Sequence, residues 1–347
     1  MRIVITGATG NVGTSTVRAL AADPAVTSLL CLARRTPDLR APGSPAKVEW
    51  ARADITETDL VPLFRDADAV IHLAWAFQPT HDAAATWRTN VTGSTRVFTA
   101  VAEAGVPALV HASSVGAYSP GPKDRPVDET WPTDGWPGAS YTREKAYLER
   151  VLDAFEARHP GCRVVRLRPG FIFKREAAQE QRRIFGGPLV PNLDARRLPV
   201  VPDVPGLRFQ VLATEDAAEA YRLAALGPAR GAFNIAAEPP IGTPELAELL
   251  DARPVRVPSA LVRTAVAAGW HLNLVPASPG LFDAVLRLPI MDTARAHAEL
   301  GWAPRRSAAE ALQEFFTGLA AGEGMATPPL AARTGGRVRE FLTSRRP

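Results

Sequence analysis

Short apolar runs separated by amphipathic stretches set the rhythm of the first 170 residues. The runs at Arg2–Thr6, Leu29–Ala33, Val48–Ala53, Ala69–Leu73, Ala108–Ala112 and Arg163–Arg168 predict strands. Between them, helical periodicity falls near Val12–Ala22, Asp59–Phe64, Ala83–Glu103 and Tyr141–Ala157. Strands and helices in alternation build a parallel sheet covered on both faces, so an α/β fold is expected. The rhythm breaks at Pro169, where Pro, Gly and Arg crowd the stretch GGPLVPNLDARRLPVVPDVPG. A helix at Thr214–Leu226 and a strand at Gly231–Ala236 return to the first domain. Thr243–Leu250, Ser259–His271 and Ser307–Ala320 read as further helices. The expected organisation is a domain over residues 1–169, rejoined by 209–237, and a smaller, mostly helical lobe from 170–208 and 238–321. Residues 322–347, with their PP, GG and RR pairs, read as a flexible tail.

Composition narrows the function classes. An apolar fraction of 46% and a net charge of only +4 fit an ordinary globular protein. The 40 basic residues are scattered along the chain, which speaks against a nucleic-acid footprint or a polybasic membrane patch. Only Lys47, Lys123, Lys145 and Lys174 are lysine, so a lysine inside a motif is informative. Cys31 and Cys162 lie in apolar strand-like runs without metal-ligand spacing, and no metal is expected. With buried thiols, no apolar run of membrane-spanning length and a strand beginning at Arg2, the expected setting is the cytoplasm.

The first chemistry lies directly after the first strand. In TGATGNVG, Gly7, Gly10 and Gly13 sit between a strand and a helix, where glycines let the backbone turn tightly and approach a pyrophosphate. The helix N-terminus offers free N–H groups to the phosphates. This arrangement predicts a Rossmann-type doubly wound sheet and a dinucleotide held by Gly7, Thr9, Gly10, Asn11, Val12 and Gly13. An Asp or Glu at the end of the second strand would bind the ribose of NAD. Here Ala33 takes that place and is followed by Arg34 and Arg35, which suit a 2′-phosphate, so NADP is expected, with NAD possible. Asp54 and Ile55 would lie beside the adenine.

The second motif is Tyr141-Thr142-Arg143-Glu144-Lys145. One helical turn separates Tyr141 from Lys145, placing both on one face. A tyrosine near pKa 10 needs positive charge beside it to act at neutral pH, and Lys145 could supply that. Upstream, HASSVGAY puts Ser113 and Ser114 at the carboxyl edge of the sheet, where ligands bind in such folds.

In order along the chain, TGATGNVG, DADAVIHLA, Asn90 in NVTGS, HASSVGAY, YTREK, RLRPGFIF, TEDAAEA, GAFNIA and MDTARAHAELGWAP resemble the extended short-chain dehydrogenase/reductase family, the NAD-dependent epimerase/dehydratase group. The resemblance implies a catalytic set of Ser114, Tyr141 and Lys145. It implies a cofactor bordered by Leu73, Ala74, Trp75, Asn90, Ala112, Ser113, Pro169 and Phe171, and a homodimer built from the Ala83–Glu103 and Tyr141–Ala157 helices. Ser114-Val115-Gly116 departs from the TDE of dehydratases. The Arg-Asp-aromatic run and the RPGD of nucleotide-sugar epimerases are also missing, with Phe209 and Gln210 in the first and Ser278-Pro279-Gly280-Leu281 in place of the second. Arg182, Arg183, Arg208 or Arg287 are the alternative cations. Phe77, Val115, Phe171 and Arg208 are the expected substrate contacts, and His81 is a further candidate. The leading expectation is hydride transfer at a ketone or secondary alcohol of a small or medium organic molecule. A nucleotide-sugar epimerase with retained cofactor is the alternative within enzymes, and a non-catalytic dinucleotide sensor is the alternative outside them.

Overall fold

The computed structural model describes residues 1–35, 46–78, 81–187 and 198–333. Seven parallel strands form the central sheet: β1 (Arg2–Thr6), β2 (Ser28–Ala33), β3 (Val48–Arg52), β4 (Ala69–His72), β5 (Ala108–Ala112), β6 (Arg163–Pro169) and β7 (Gly231–Ile235). Their spatial order is β7-β6-β5-β4-β1-β2-β3. The chain leaves β1 toward one edge and restarts at β4 toward the other. The carboxyl ends of β1 and β4 therefore flank the crevice where such sheets bind ligands.

Strand side chains alternate between two covered faces. Ile3, Ile5, Cys31, Ile71, Val110 and Leu167 pack on one side with Leu20, Tyr221 and Trp302. Val4, Leu32, Val70, Leu109 and Val164 pack on the other with Phe98, Leu148 and Phe155. The helices Asn11–Ala22 and Thr214–Leu226 cover the first face, and Gly93–Glu103 and Ser140–Arg158 cover the second. Both cysteines are buried and free. Among the described residues, no helix is long and apolar enough to cross a membrane.

The stretch Ala83–Glu103 is helical as expected, with a π-turn at Arg88–Thr92 that carries Asn90. The described part of the lobe is mostly helical, with short strands beside its helices: Phe171–Phe173 and Ala237–Ile241 flank Phe209–Ala213 in a three-stranded sheet, and Val200–Asp203 pairs with Arg253–Arg256. Its strands are too short, and too broken by proline, to show period-two patterning.

One expectation needs correction: the tail expected from residue 322 onward is packed as far as 333. Leu330 is fully buried, Thr327 Oγ1 donates to the Thr9 carbonyl at 2.9 Å, and the Arg183 guanidinium bonds the Pro329 and Ala331 carbonyls at 2.8 Å each. Backbone carbonyls bonded by a guanidinium do not require an apolar pattern, so composition alone reads as a loose end. Residues 334–347 lie outside the described residues.

Candidate active site

The glycine turn is shaped by two steric requirements. Gly7 has φ +75°, and a β-carbon there would lie 2.6 Å from the Ala74 nitrogen at the end of β4. A β-carbon at Gly13 would meet the Gly7 carbonyl oxygen at 2.3 Å. Gly10 is different. Its β-carbon would make only an ordinary 3.5 Å contact, so internal packing does not demand glycine there. Close approach of a ligand would.

Gly10 caps the Asn11–Ala22 helix in extended conformation with no side-chain cap bond, leaving the first-turn N–H groups for an anion. Asn11 turns its amide away, toward the Ile172 carbonyl and the Thr214 hydroxyl. The turn thus fits the pyrophosphate of a dinucleotide. Thr9 and Val12 are packed below it, so the fit rests on their backbone. Arg34 and Arg35 emerge exposed from the end of β2, and Arg34 lines a cleft of about 280 Å³ together with Trp75, Phe77, Glu180, Arg183 and Pro329. Asp54 spends one carboxylate oxygen on the Thr56 backbone and hydroxyl, while Ile55 packs in the core against Gly93.

At the carboxyl end of β5, the Tyr141 hydroxyl donates to Ser114 Oγ at 2.9 Å. The Gly116 N–H donates to the same oxygen at 2.9 Å. A hydroxyl has two lone pairs and one proton, so Ser114 keeps its O–H free to donate outward. Lys145 Nζ donates to the Ala112 carbonyl at 2.7 Å and lies 3.4 Å from the centroid of the Trp75 ring. Phe77 stacks on Tyr141 at 5.4 Å, so the loop after β4 covers the pair with aromatic rings. Asn90 holds that loop, accepting from the Ala76 N–H and donating to the Ala76 carbonyl and to buried Glu144. Its role is thus exerted on the backbone of the loop.

Electrostatics here depart from expectation. Burial pushes the Tyr141 phenol up to about 12, against the lowering effect of its bond to Ser114. Burial likewise pulls Lys145 down to about 7, against the raising effect of Glu144 and Glu149. The ammonium is 5.9 Å from the Tyr141 ring centroid, and desolvation outweighs its attraction for a phenolate. Tyr141 is consequently held as a proton donor near neutrality.

The values also give a prediction with a definite sign. The ammonium of Lys145 is lost as pH rises through about 7. The value of kcat/KM for the cofactor, which reports groups of the free enzyme, should therefore fall through that pH. Lys145→Arg should remove this limb, because a guanidinium keeps its charge; a profile flat from pH 6 to 8.5 in the unmodified protein would contradict it.

Several expected contacts have other duties. Ser113 Oγ donates to Glu149, so its hydroxyl serves the interior. Leu73 and Ala74 pack in the two cores at the end of β4, and Val115 joins a small cluster with Tyr118 and Leu288. Pro169 ends β6, and Phe171 after it meets Phe209 at 5.2 Å in an apolar cavity.

Arg208 is exposed and donates to the Lys123 carbonyl, lining neither cavity described here, so it is not placed as a substrate contact. Gln210 is buried and exchanges bonds with the Met291 backbone. Arg182 bonds Gln179 and the Gly187 carbonyl, and Arg287 bonds the Asp283 carbonyl over the Trp136 ring. A β-carbon on Gly280 would overlap the Gly138 carbonyl, which makes that glycine a packing residue. His81 stacks on Trp270 at 4.3 Å at the cleft edge. Buried His72 is bonded to Thr6 and Ser94.

Sequence reasoning missed the network beneath the pair. Glu149 is buried against Arg168 and Arg166, and Arg168 also donates to the Tyr118 hydroxyl. Burial opposes the Glu149 charge, but bonds from Arg168 and the two guanidinium charges hold it down to about 2. Glu144 and Glu149 carried a signal nonetheless, since both share the inward face of the Tyr141 helix. Among the described residues, no group of His, Cys, Asp and Glu could hold a metal ion.

Comparison with known proteins agrees with the fold. UDP-glucose 4-epimerase of Mycolicibacterium smegmatis is 28% identical over 334 residues, covering 91% of this chain and 98% of that protein. L-arabinose 1-dehydrogenase (NAD(P)(+)) of Haloferax volcanii is 30% identical over 195 residues, covering 52% of this chain and 70% of the relative. The structure of Thermus thermophilus UDP-glucose 4-epimerase in complex with NAD superposes with a TM-score of 0.65 at 20% identity, over 92% of this chain and 99% of that one. The model of the NAD dependent epimerase/dehydratase family matches residues 3–236, and the chain belongs to that family.

Proposed function

We propose that the chain is an NAD(P)-dependent oxidoreductase acting at a ketone or secondary alcohol of a small or medium organic molecule. The observation that carries this reading is the Tyr141 phenol bonded to Ser114, with Lys145 one turn on, beside the crevice that holds the glycine turn. When bound, the dinucleotide supplies or accepts hydride at the carbon of the carbon–oxygen bond. The free O–H of Ser114 donates to the substrate oxygen and orients it. Tyr141, protonated at neutral pH, delivers its proton to that oxygen as the ketone becomes an alcohol. Lys145, drawn off Trp75, holds the cofactor ribose and restores the proton. Arg34 and Arg35 meet the 2′-phosphate of NADP.

The test is binding of NADPH against NADH to the purified protein, followed by a ketone panel scored by loss of reduced-cofactor absorbance. NADPH should bind at least tenfold tighter, and Arg34→Ala should cut that preference to near unity. A wild-type preference for NADH would overturn the assignment of Arg34.

A second reading is an epimerase with retained cofactor, favoured by the segment around Thr327 that lies on the Thr9 carbonyl beside the glycine turn. Denatured protein would then release about one dinucleotide per chain, with no net cofactor turnover. The reading extends to a cytoplasmic homodimer. Trp87 and Tyr147 form an exposed ring pair, 4.9 Å between centroids, on the two helices expected to meet in it. Trp87→Asp should shift the protein from dimer to monomer in sedimentation, and an unchanged mass would count against that face.

A further inference from the structure

One of the four lysines stands directly after the RLRPGFIF run and has no part in the chemistry above. Lys174 follows the lobe strand Phe171–Phe173 and is only 2% exposed. Its Nζ donates to the Asn11 carbonyl at 2.9 Å, to Thr14 Oγ1 at 2.6 Å and to Ser15 Oγ at 3.4 Å. All three acceptors are neutral. Glu176, Glu215 and Glu180 act on this cation only through space, and Arg18 acts against them. A buried ammonium with no carboxylate bonded to it is costly, because its charge is left without a close partner. Burial pulls Lys174 down to about 8, so at neutral pH the charge is still carried.

The charge lies under the place where an anion is expected. Asn11, Thr14 and Ser15 belong to the first turns of the Asn11–Ala22 helix, whose N-terminus opens on the glycine turn. Thr14 Oγ1, while accepting from Lys174, shares its proton between the Gly10 and Asn11 carbonyls at 3.1 Å each. Two hydrogen bonds thus join the ammonium to Gly10, the turn glycine that internal packing does not require. A helix N-terminus carries roughly half an elementary charge, so a whole charge held inside its first turns adds substantially to its hold on an anion. In the interior that charge is screened by salt much less than one on the surface.

Resting on the dinucleotide reading above, we infer that Lys174 is the buried counter-charge for the diphosphate of the cofactor. It is a positioning residue, acting through the first turns of the helix rather than by touching the ligand. Arg34 and Arg35 sort the ribose end, whereas Lys174 strengthens the part that NAD and NADP share. Its removal weakens both cofactors alike and leaves the choice between them unchanged.

The experiment titrates ADP, adenosine, NADPH and NADH into the wild-type, Lys174→Met and Thr14→Val proteins at neutral pH, reading adenosine by its competition with ADP. ADP and adenosine reach neither Lys145 nor the catalytic pair, and they differ only in the diphosphate. Lys174→Met, close in length but uncharged, should weaken ADP about tenfold or more while adenosine stays within about twofold. The ratio of NADPH to NADH affinity should stay within about twofold as well. Thr14→Val keeps the ammonium and cuts its bond chain to Gly10, so ADP should weaken by less than about threefold. ADP binding unchanged in Lys174→Met would overturn the assignment with the dinucleotide reading intact. Equal losses for ADP and adenosine would overturn it too, since the lysine would then only hold the lobe strand against the helix. A Thr14→Val loss as large as that of Lys174→Met would assign the effect to the shape of the turn and overturn the counter-charge. Wild-type protein that binds neither ADP nor NADPH would overturn the dinucleotide reading and this assignment with it.

Discussion

Tyr141→Phe is expected to lower kcat for ketone reduction by about 10²- to 10⁴-fold, the range that general acid catalysis contributes. The variant removes one oxygen. Its ring still stacks on Phe77 and packs edge-on to Trp75, so the fold and cofactor affinity should be kept. Ser114 Oγ loses one donor but still accepts from the Gly116 N–H, and its own proton remains available to the substrate oxygen. The loss should therefore fall on kcat, with KM changed only slightly. Steady-state rates beside a cofactor titration make the measurement. A Tyr141→Phe protein with more than a tenth of wild-type kcat would remove Tyr141 from the chemistry.

Glu149→Ala should be the most destabilising single change near the site. It leaves the buried guanidinium of Arg168 with no carboxylate, and Arg166 with only the half-exposed Asp153 and Glu156. Breaking a buried pair from one side costs about 3–5 kcal/mol. Ser113 also loses its acceptor. Chemical denaturation should show the loss as a lower midpoint, and a midpoint unchanged from wild type would refute the role given to the network.

The same carboxylate sets a pH dependence. Its folded value, about 2, lies below its ordinary 4.5, so its stabilising contribution is complete above 4.5 and is lost as pH falls from there toward 2. A pH series of denaturation midpoints for wild type and Glu149→Gln should therefore converge at the acid end.

What could be read in advance followed local rules. Strands β1 and β5 were legible to the residue because apolar runs bounded by turn residues have no competing reading. Gly7 and Gly13, and the shared helix face of Tyr141 and Lys145, were legible because their spacing follows from chain geometry over one turn, whereas Ser114 was suggested by its place at a strand end and by the family resemblance. Contacts between distant segments were not. Nothing in Trp75 announces Lys145, 70 positions later, and nothing in Gln181 announces an unpaired carbonyl oxygen. The shift of Tyr141 was misjudged for a related reason, since spacing reveals the neighbouring charge but not the water excluded around it. Arg208 was drawn toward the site by analogy of register, while the fold spends its guanidinium on the Lys123 carbonyl.

The bond from Thr327 to the Thr9 carbonyl joins the first motif of the chain to one of its last described segments. A ribosome makes residue 9 long before residue 327. During synthesis the glycine turn can close on β4 as soon as Ala74 emerges, but it receives this contact only after more than two hundred and fifty further residues have followed. The glycine turn thus gains this contact only once residue 327 has been made, and a chain truncated within the lobe would present the turn without it.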